Sequence, residues 1–218
     1  MTDGPASASA VAAEPVVLVV EDDPSIRDAL RRLFATVGRT VLTFGSAAEL
    51  LESEFPDVPS CLVLDIRLPG RSGLDLQAEL AKAGVRIPIV FMTGHGDIPI
   101  TVRAMKAGAA DFLAKPFRDQ DMLDAVTAAI EQDSRRRMDE RAIRLLEDRY
   151  SVLTPREREV MALATRGLMN KQIAWKLGLS EITVKIHRGH VMKKMQARSL
   201  AELVRMADSL GVRPTDTA

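Results

Sequence analysis

Five short apolar runs, alternating with helical patterns, constrain the fold of this chain more than any other feature. Each run is mostly β-branched or aromatic, as expected of strands that are buried on both faces of a sheet. The runs are residues 16–20, 40–43, 61–64, 87–92 and 111–113. Helical patterns follow them at residues 25–37, 47–54, 74–83 and 98–107, and from residue 119 onward. This alternation predicts an α/β fold with a doubly wound, five-stranded parallel sheet.

The last third of the chain has a different pattern, with no strand-like run. Four helices are predicted, at residues 155–165, 170–177, 181–195 and 199–209, which indicates an all-α four-helix domain. The predicted organisation is a disordered tail at 1–15, an α/β domain at 16–130, a charged, solvated helical linker at 131–150 and a helical domain at 151–212.

The formal net charge of zero conceals two oppositely charged parts. Residues 1–130 carry a net charge of −6, residues 131–150 are balanced, and residues 151–218 carry +6. An acidic part attracts cations, and a small basic domain attracts phosphate backbones. The single Cys61 excludes an internal disulfide, and no secretory signal or membrane-length apolar run is present. The sequence therefore predicts a soluble, cytoplasmic protein with no membrane partner.

Acidic, hydroxyl and ammonium side chains stand at the carboxyl ends of the predicted strands, where open parallel sheets bind ligands. Asp22 and Asp23 follow the first strand and Asp65 follows the third. Thr93 follows the fourth, and Lys115 the fifth. We expect all of them to converge on one edge of the sheet.

This set of residues predicts phosphoryl chemistry. Clustered carboxylates suit Mg²⁺, and a carboxylate can attack a phosphoryl group. Asp65, alone on the middle strand, is the candidate nucleophile, with Asp22 and Asp23 as metal ligands. Lys115 and Thr93 would contact the phosphoryl oxygens. An alternative for Asp23, which precedes a proline, is that it only caps a helix.

Three stretches resemble a response-regulator receiver domain over about residues 15–130: EDDPSIRDALRRLF, LDIRLPGRSGLDL and PIVFMTGHGDIPITVRAMKAGAADFLAKPF. The TGHGDIP stretch is most similar to the FixJ-type subfamily. The resemblance implies that Asp65 is the phosphoacceptor for a histidine kinase and that Asp22 and Asp23 are the acidic pair. It also implies that the Arg67 backbone carbonyl completes the Mg²⁺ shell, that the Lys115–Pro116 bond is cis and that Phe112 is the aromatic switch residue.

The helical domain contains a helix-turn-helix pattern. Thr154, a proline and Glu157 stand at the N-cap, N1 and N3 positions of one predicted helix. Gly178 and Ser180 form a tight turn between the next two helices. Helical spacing in residues 181–195 places one stripe toward the core: Val184, His187, Val191 and Met195. The opposite face, which is expected to enter the major groove, carries Ile182, Lys185, Ile186, Gly189 and Lys193.

The predicted DNA contacts extend beyond that face. The full set is Lys171, Ile182, Thr183, Lys185, Ile186, Arg188, Gly189 and Lys193. Lys194 is a further candidate for a phosphate contact. The missing side chain of Gly189 would allow the helix backbone to approach DNA closely. Trp175 is expected to pack between helices and His187 at the edge of the core, and no Cys/His spacing indicates zinc.

The stretch NKQIAWKLGLSEITVKIHRGHVMKKM resembles the LuxR/FixJ-type DNA-binding domain, with similarity over about residues 148–212. The resemblance implies binding to double-stranded DNA as a dimer, often through the last helix. Together the two resemblances imply a phosphorylation-switched transcription regulator, an activator, that forms a homodimer on phosphorylation. RNA polymerase is a further candidate partner. No turnover of a separate substrate is expected, because the phosphoryl group is taken up and slowly lost by the protein itself.

Two other functional classes stay open from the sequence. The same pocket could hydrolyse phosphate esters, although Arg67 stands where a second acid would be needed, two residues after Asp65. The receiver could instead be a structural module in a regulator that acts without phosphorylation, although the acidic set and Lys115 argue against it.

Overall fold

The structure is a computed structural model that describes residues 14–94 and 98–212. The chain divides after Arg137 into two compact units. Most of the predicted N-terminal tail, residues 1–13, lies outside the described residues.

A five-stranded parallel sheet forms the centre of the first unit. Its strands are β1 (Val16–Val20), β2 (Thr40–Phe44), β3 (Ser60–Asp65), β6 (Ile89–Thr93) and β7 (Asp111–Ala114). Between β3 and the next helix, β4 (Arg67–Leu68) and β5 (Arg71–Ser72) form a small antiparallel pair. The strand order of the main sheet is β2-β1-β3-β6-β7. This order confirms the predicted doubly wound topology and leaves β3 in the middle.

Helices cover both faces of this sheet. They are α1 (Pro24–Thr36), α2 (Ala47–Glu52), α3 (Gly73–Lys82), α4 (Ile98–Lys106) and α5 (Asp119–Ser151). Because side chains alternate along a strand, Leu18 packs in the core with α2, α3 and α4, whereas Val19 packs in the core with α1 and α5. The two-sided burial explains why the strands are almost uniformly apolar.

The charged segment 131–150 belongs to α5 and is exposed or half-buried, as its charge pattern predicts, except at Asp133. Asp133 is completely buried in the first unit. Its Oδ2 accepts the backbone N–H of Ser60 at 2.9 Å and the Nε–H of Arg137 at 2.8 Å. The charge pattern could not show this contact, because Ser60 is remote in sequence.

The second unit, residues 138–212 of the described chain, is helical after α5. Its helices are α6 (Pro155–Ala164), α7 (Asn170–Leu177), α8 (Glu181–Met195) and α9 (Leu200–Ser209). Met161, Val191 and Leu203 share one buried cluster, and Val160 and Val184 share another. The expected helix at residue 199 begins one residue later, because the Ser199 side chain caps it. In the described part of the chain, no helix is both long and apolar enough to cross a membrane.

Candidate functional site

The carboxyl ends of the strands bring an acidic pocket together. Glu21 directly follows β1, Asp65 ends β3 and Lys115 directly follows β7. The Lys115 ammonium lies 2.6 Å from Glu21 Oε2 and 2.6 Å from Asp65 Oδ2. Glu21 and Asp65 are both buried. A buried carboxylate is stable as an anion only beside a compensating cation, and Lys115 supplies that charge.

Burial and nearby charges both shift the pKa values of Glu21 and Lys115. Burial raises the pKa of Glu21, and repulsion from Asp65 adds to the increase, while the hydrogen bond from Lys115 offsets part of it. Burial lowers the pKa of Lys115, but hydrogen bonds to Asp65 and Glu21 outweigh this, so its pKa is raised. Lys115 therefore remains a cation when these carboxylates are ionised.

The structure corrects the expected acidic pair. Glu21, Asp22 and Asp65 each offer a carboxylate oxygen, and these oxygens lie within 4.8 Å of one another. Asp23 is absent from this group and caps α1, where its Oδ1 accepts the Ser25 N–H at 2.7 Å. The hydrogen bonds of this cap lower the pKa of Asp23. The alternative of a helix cap is therefore the observed one, and Glu21 is the residue that the sequence interpretation missed.

Hydrogen bonds fix the backbone around Asp65. The Arg67 N–H donates to Asp65 Oδ1 at 2.9 Å, and the Gly73 N–H donates to the Ile66 carbonyl at 2.9 Å. On the other side of the pocket, Arg27 Nη1 donates to the carbonyls of Glu21 at 2.6 Å and Asp22 at 2.8 Å. Arg27 thus positions the backbone that carries two of the three carboxylates.

Thr93 and Phe112 lie on neighbouring strands, β6 and β7. Thr93 is buried, and its carbonyl accepts the Lys115 N–H at 2.6 Å. Phe112 is half-buried against the core beside α2, α3 and α4. The Lys115–Pro116 peptide bond is cis, as the resemblance implies.

The donor set of the pocket fits a hard divalent cation. Three carboxylates converge, two of them buried, and repulsion among them would fall if a cation lay between them. Oxygen ligands of this kind are those that Mg²⁺ prefers.

In the second unit, the predicted helix-turn-helix forms from α7 and α8. Gly178 ends α7 in the left-handed conformation (φ 64°), which a residue with a side chain adopts only at a cost. Ser180 caps α8 by accepting the Thr183 N–H at 3.1 Å. At the start of α6, Thr154 and Glu157 form the expected capping box.

The face of α8 that is expected to contact DNA is exposed. Ile182 is 73% exposed and Ile186 is 52% exposed, which is unusual for isoleucine. The other exposed positions from the predicted set are Lys171, Lys185, Gly189 and Lys193, and Thr183 is half-buried. Val184, Val191 and Met195 are buried as predicted, and His187 is half-buried.

Exposure or side-chain contacts modify three expectations for this unit. Trp175 does not pack between helices, because its position on α7 points away from Ile173 and Ala174 and leaves it 83% exposed. Lys194 lies 2.7 Å from the buried Glu157 carboxylate, so its charge is already paired within the domain. Arg188 Nη1 donates to Asn170 Oδ1 at 2.9 Å, so one of the donors of this guanidinium is already used within the domain.

Two family profiles match the chain. A response regulator receiver domain matches residues 17–127, and the luxR family of bacterial regulatory proteins matches residues 151–207. Nodulation protein W of Bradyrhizobium diazoefficiens is 61% identical over 93% of this chain and 89% of its own length. The transcriptional regulatory protein FixJ of Azorhizobium caulinodans is 44% identical over 93% of this chain and 96% of its own length.

The chain belongs to the FixJ-type response regulators. Among solved structures, the response regulator StyR is similar to this FixJ-type regulator, with a TM-score of 0.83, 50% identity and coverage of 90% of this chain and 99% of StyR. A FixJ-type regulator is a transcriptional regulator of a two-component system. Its receiver domain implies a histidine kinase partner, and its LuxR-type domain implies DNA binding. The matched proteins are transcriptional response regulators rather than enzymes with substrate turnover.

Proposed function

We propose that Asp65 accepts a phosphoryl group from a histidine kinase and that this modification raises the affinity of the second unit for DNA. The observation that carries the proposal is the ion pair between Lys115 and the buried Asp65, beside Glu21 and Asp22. A buried carboxylate that ends the middle strand and is paired with one ammonium suits nucleophilic attack on a phosphoryl group.

In the proposed step, an Asp65 carboxylate oxygen attacks the phosphorus of a phosphohistidine. The new bond joins this oxygen to phosphorus, and the bond between phosphorus and the histidine nitrogen breaks. The nitrogen keeps the electron pair and takes a proton from solvent. Lys115, now 2.6 Å from Asp65 Oδ2, would pair with a phosphoryl oxygen, and the Thr93 hydroxyl would donate to another.

Glu21, Asp22 and Asp65 are the residues that would hold Mg²⁺, with the Arg67 backbone carbonyl as a further ligand by resemblance. When bound, the cation neutralises negative charge on the phosphoryl oxygens. We leave Asp23 out of this proposed set, because its carboxylate caps α1.

The second unit would bind double-stranded DNA through α8. Lys171, Lys185 and Lys193 are exposed and suit phosphate contacts. Ile182, Thr183 and Ile186 would contact base edges, where apolar side chains favour the thymine methyl group. Gly189 would allow the backbone to approach the duplex, and Arg188 would contact a phosphate.

The output of the switch is proposed to be a homodimer that activates transcription, with RNA polymerase as a candidate partner. Inward movement of Thr93 and Phe112 would reshape the surface formed by α4, β7 and the start of α5. Ile98 is 75% exposed there, and Val102 and Met105 are 45% and 44% exposed. Burial of such apolar side chains in a dimer would favour the active state.

The proposal is tested with wild type, Asp65→Asn and the control Asp75→Asn, which changes an exposed carboxylate on α3. Each is incubated with acetyl phosphate and Mg²⁺, and phosphorylation is measured by intact-mass spectrometry. Molecular mass in solution and DNA affinity are then measured with and without beryllofluoride. We expect wild type and Asp75→Asn to take up phosphate, dimerise and bind DNA more tightly, and Asp65→Asn to do none of these. Equal DNA binding by all three proteins in every condition would contradict the switch and favour a structural receiver.

A further inference from the structure

We propose that Glu157, His187 and His190 form a transition-metal site within the DNA-binding domain, with Zn²⁺ as the ion that suits it. Each residue offers one ligand atom, and the three atoms lie within 4.8 Å of one another. Glu157 comes from α6, and the two histidines come from α8. This site is separate from the acidic pocket of the receiver and does not depend on phosphorylation.

The two oxygens of Glu157 have different partners. Oε2 accepts the Thr154 N–H at 2.8 Å and lies 2.7 Å from the Lys194 ammonium. Oε1 faces His190, with 3.5 Å between this oxygen and Nδ1 of the ring. Oε1 is therefore the oxygen available to a cation, and the helix cap can persist while it binds.

The distance between Glu157 and His190 suits tetrahedral coordination. Zn²⁺ binds histidine nitrogen and carboxylate oxygen at about 2.0–2.1 Å, so two ligands in a tetrahedron are separated by about 3.4 Å. The observed 3.5 Å between Glu157 Oε1 and His190 Nδ1 matches that edge. A direct hydrogen bond between these atoms would be shorter.

His187 supplies the second independent observation. Its Nδ1 is buried and has no hydrogen-bond partner among the described residues. A buried ring nitrogen without a partner is unfavourable, and such groups point to an ion or water that satisfies them. Because His187 and His190 are three residues apart on α8, both rings lie on one side of the helix.

The donor set selects the class of metal. Two imidazoles and one carboxylate suit Zn²⁺ and similar transition-metal ions, whereas Mg²⁺ prefers oxygen ligands alone. The receiver pocket, with three carboxylates, has the opposite preference. Mg²⁺ would therefore prefer the pocket of the first unit, and Zn²⁺ would prefer the site of the second unit.

Lys194 would compete with the metal for Glu157. Its side chain is 35% exposed, so the ammonium can turn toward solvent, although it would then lose its 3.2 Å contact with the Val152 carbonyl. The cation would connect α6 directly to the helix that is proposed to enter the major groove. Since binding occurs only in the folded domain, it would also raise the thermal stability of that domain.

The test uses the full-length protein with excess Mg²⁺, so that the receiver pocket is supplied with its preferred ion. Zn²⁺ binding is measured by calorimetry, and Co²⁺ is used as a spectroscopic probe because tetrahedral Co²⁺ absorbs strongly in the visible range. The variants are His190→Asn, which changes an exposed side chain, and Lys194→Gln, which removes the ammonium beside Glu157. Glu159→Gln removes an exposed carboxylate from the same helix and is the matched control.

We expect wild type and Glu159→Gln to bind one Zn²⁺ in this domain and to show the Co²⁺ spectrum. His190→Asn should lose the spectrum and weaken Zn²⁺ binding by at least about tenfold, since even the loss of an outer-shell partner costs that much. Lys194→Gln should change affinity in the opposite direction, because it removes a competing positive charge. Absence of Zn²⁺ binding in wild type, or binding that His190→Asn leaves unchanged, would overturn the proposal.

Discussion

Gly73 lies so close to the end of β3, where Asp65 stands, that any side chain at position 73 would displace the strand end. A Cβ atom at this position would stand 2.5 Å from the Asp65 carbonyl oxygen and 3.1 Å from the Ile66 Cα. Both are backbone atoms, so neither can rotate away as a side chain could. The glycine therefore sets how closely α3 approaches the end of β3.

We predict that Gly73→Ala destabilises the receiver by about 1–3 kcal/mol, because overpacking forces a backbone shift. Phosphorylation by acetyl phosphate should also slow, since Asp65 moves with its own carbonyl. Urea unfolding and the rate of phosphate uptake measure the two effects. A stable variant that is phosphorylated at the wild-type rate would show that the backbone of Asp65 and Ile66 accommodates the added methyl group without cost.

The low pKa of Glu157 predicts that the DNA-binding domain loses stability in acid. Burial raises the pKa of Glu157, but hydrogen bonds from Lys194 and Thr154 outweigh this and hold the pKa at about 2, against an ordinary value of 4.5. A depressed pKa in the folded state stabilises the fold above the unfolded-state value. That contribution is lost as the pH falls from 4.5 toward 2.

We expect protonation of this one carboxylate to cost on the order of 3 kcal/mol in the domain. Protection against amide hydrogen exchange in α6 and α8, measured relative to the intrinsic exchange rate at each pH, should fall over this pH range in wild type. In Glu157→Gln, exchange should already be fast at neutral pH and should change less with acid. Parallel pH profiles in the two proteins would show that other groups control acid unfolding.

At the scale of secondary structure, α8 contains a residue that weakens the helix. Gly189 is exposed in mid-helix, and no atom lies within 4 Å of a Cβ built on it. Gly189→Ala should therefore stabilise the domain by about 1 kcal/mol, the difference in helix propensity. If the backbone approaches DNA at Gly189, the same substitution should weaken DNA binding. Thermal unfolding and DNA titration of this variant separate the two effects, and unchanged affinity would place the DNA contact elsewhere.

The helix α5 is attached to the sheet by a buried carboxylate. Asp133 accepts hydrogen bonds from the Ser60 N–H and from Arg137, and Arg137 also pairs with Asp57 at 2.8 Å. Asp133→Ala should destabilise the receiver by about 3 kcal/mol, because it leaves buried donors without an acceptor. Asp139→Ala, at an exposed position of the same helix, should have little effect. Equal denaturation midpoints for the two variants would rule out this attachment.

For the whole molecule, the separation of charge predicts how salt affects DNA binding. Residues 151–218 carry a net charge of +6, whereas residues 1–130 carry −6. The logarithm of DNA affinity should fall linearly with the logarithm of salt concentration. Lys185→Ala should reduce that slope by about one unit. Lys82→Ala, an exposed control in the acidic part, should leave the slope unchanged. Equal slopes for both variants would exclude a phosphate contact by Lys185.

Most of the fold was predictable because its signals are local. Each strand is a short apolar run, and turn residues mark several helix ends, such as Gly178 after α7 and Ser180 before α8. The predicted bounds of these two helices agree with the structure. The pocket was predictable to the level of strand ends, because parallel strands place their carboxyl ends at one edge. Three consecutive acids after β1 were ambiguous, since backbone geometry alone decides which two of them lie in the pocket.

The chain read without coordinates was enough to predict the order of elements, the position of the strand that ends in Asp65, the two oppositely charged parts and the exposed face of α8. Periodicity, caps and charge are properties of neighbouring residues, so they can be read without coordinates. Coordinates were needed to show that Glu21 and not Asp23 faces Lys115 and that Asp133 is buried. The grouping of Glu157 with His187 and His190, and the exposure of Trp175, also appeared only there. Each of these depends on packing between residues that are distant in sequence, or on the direction of one side chain from its backbone.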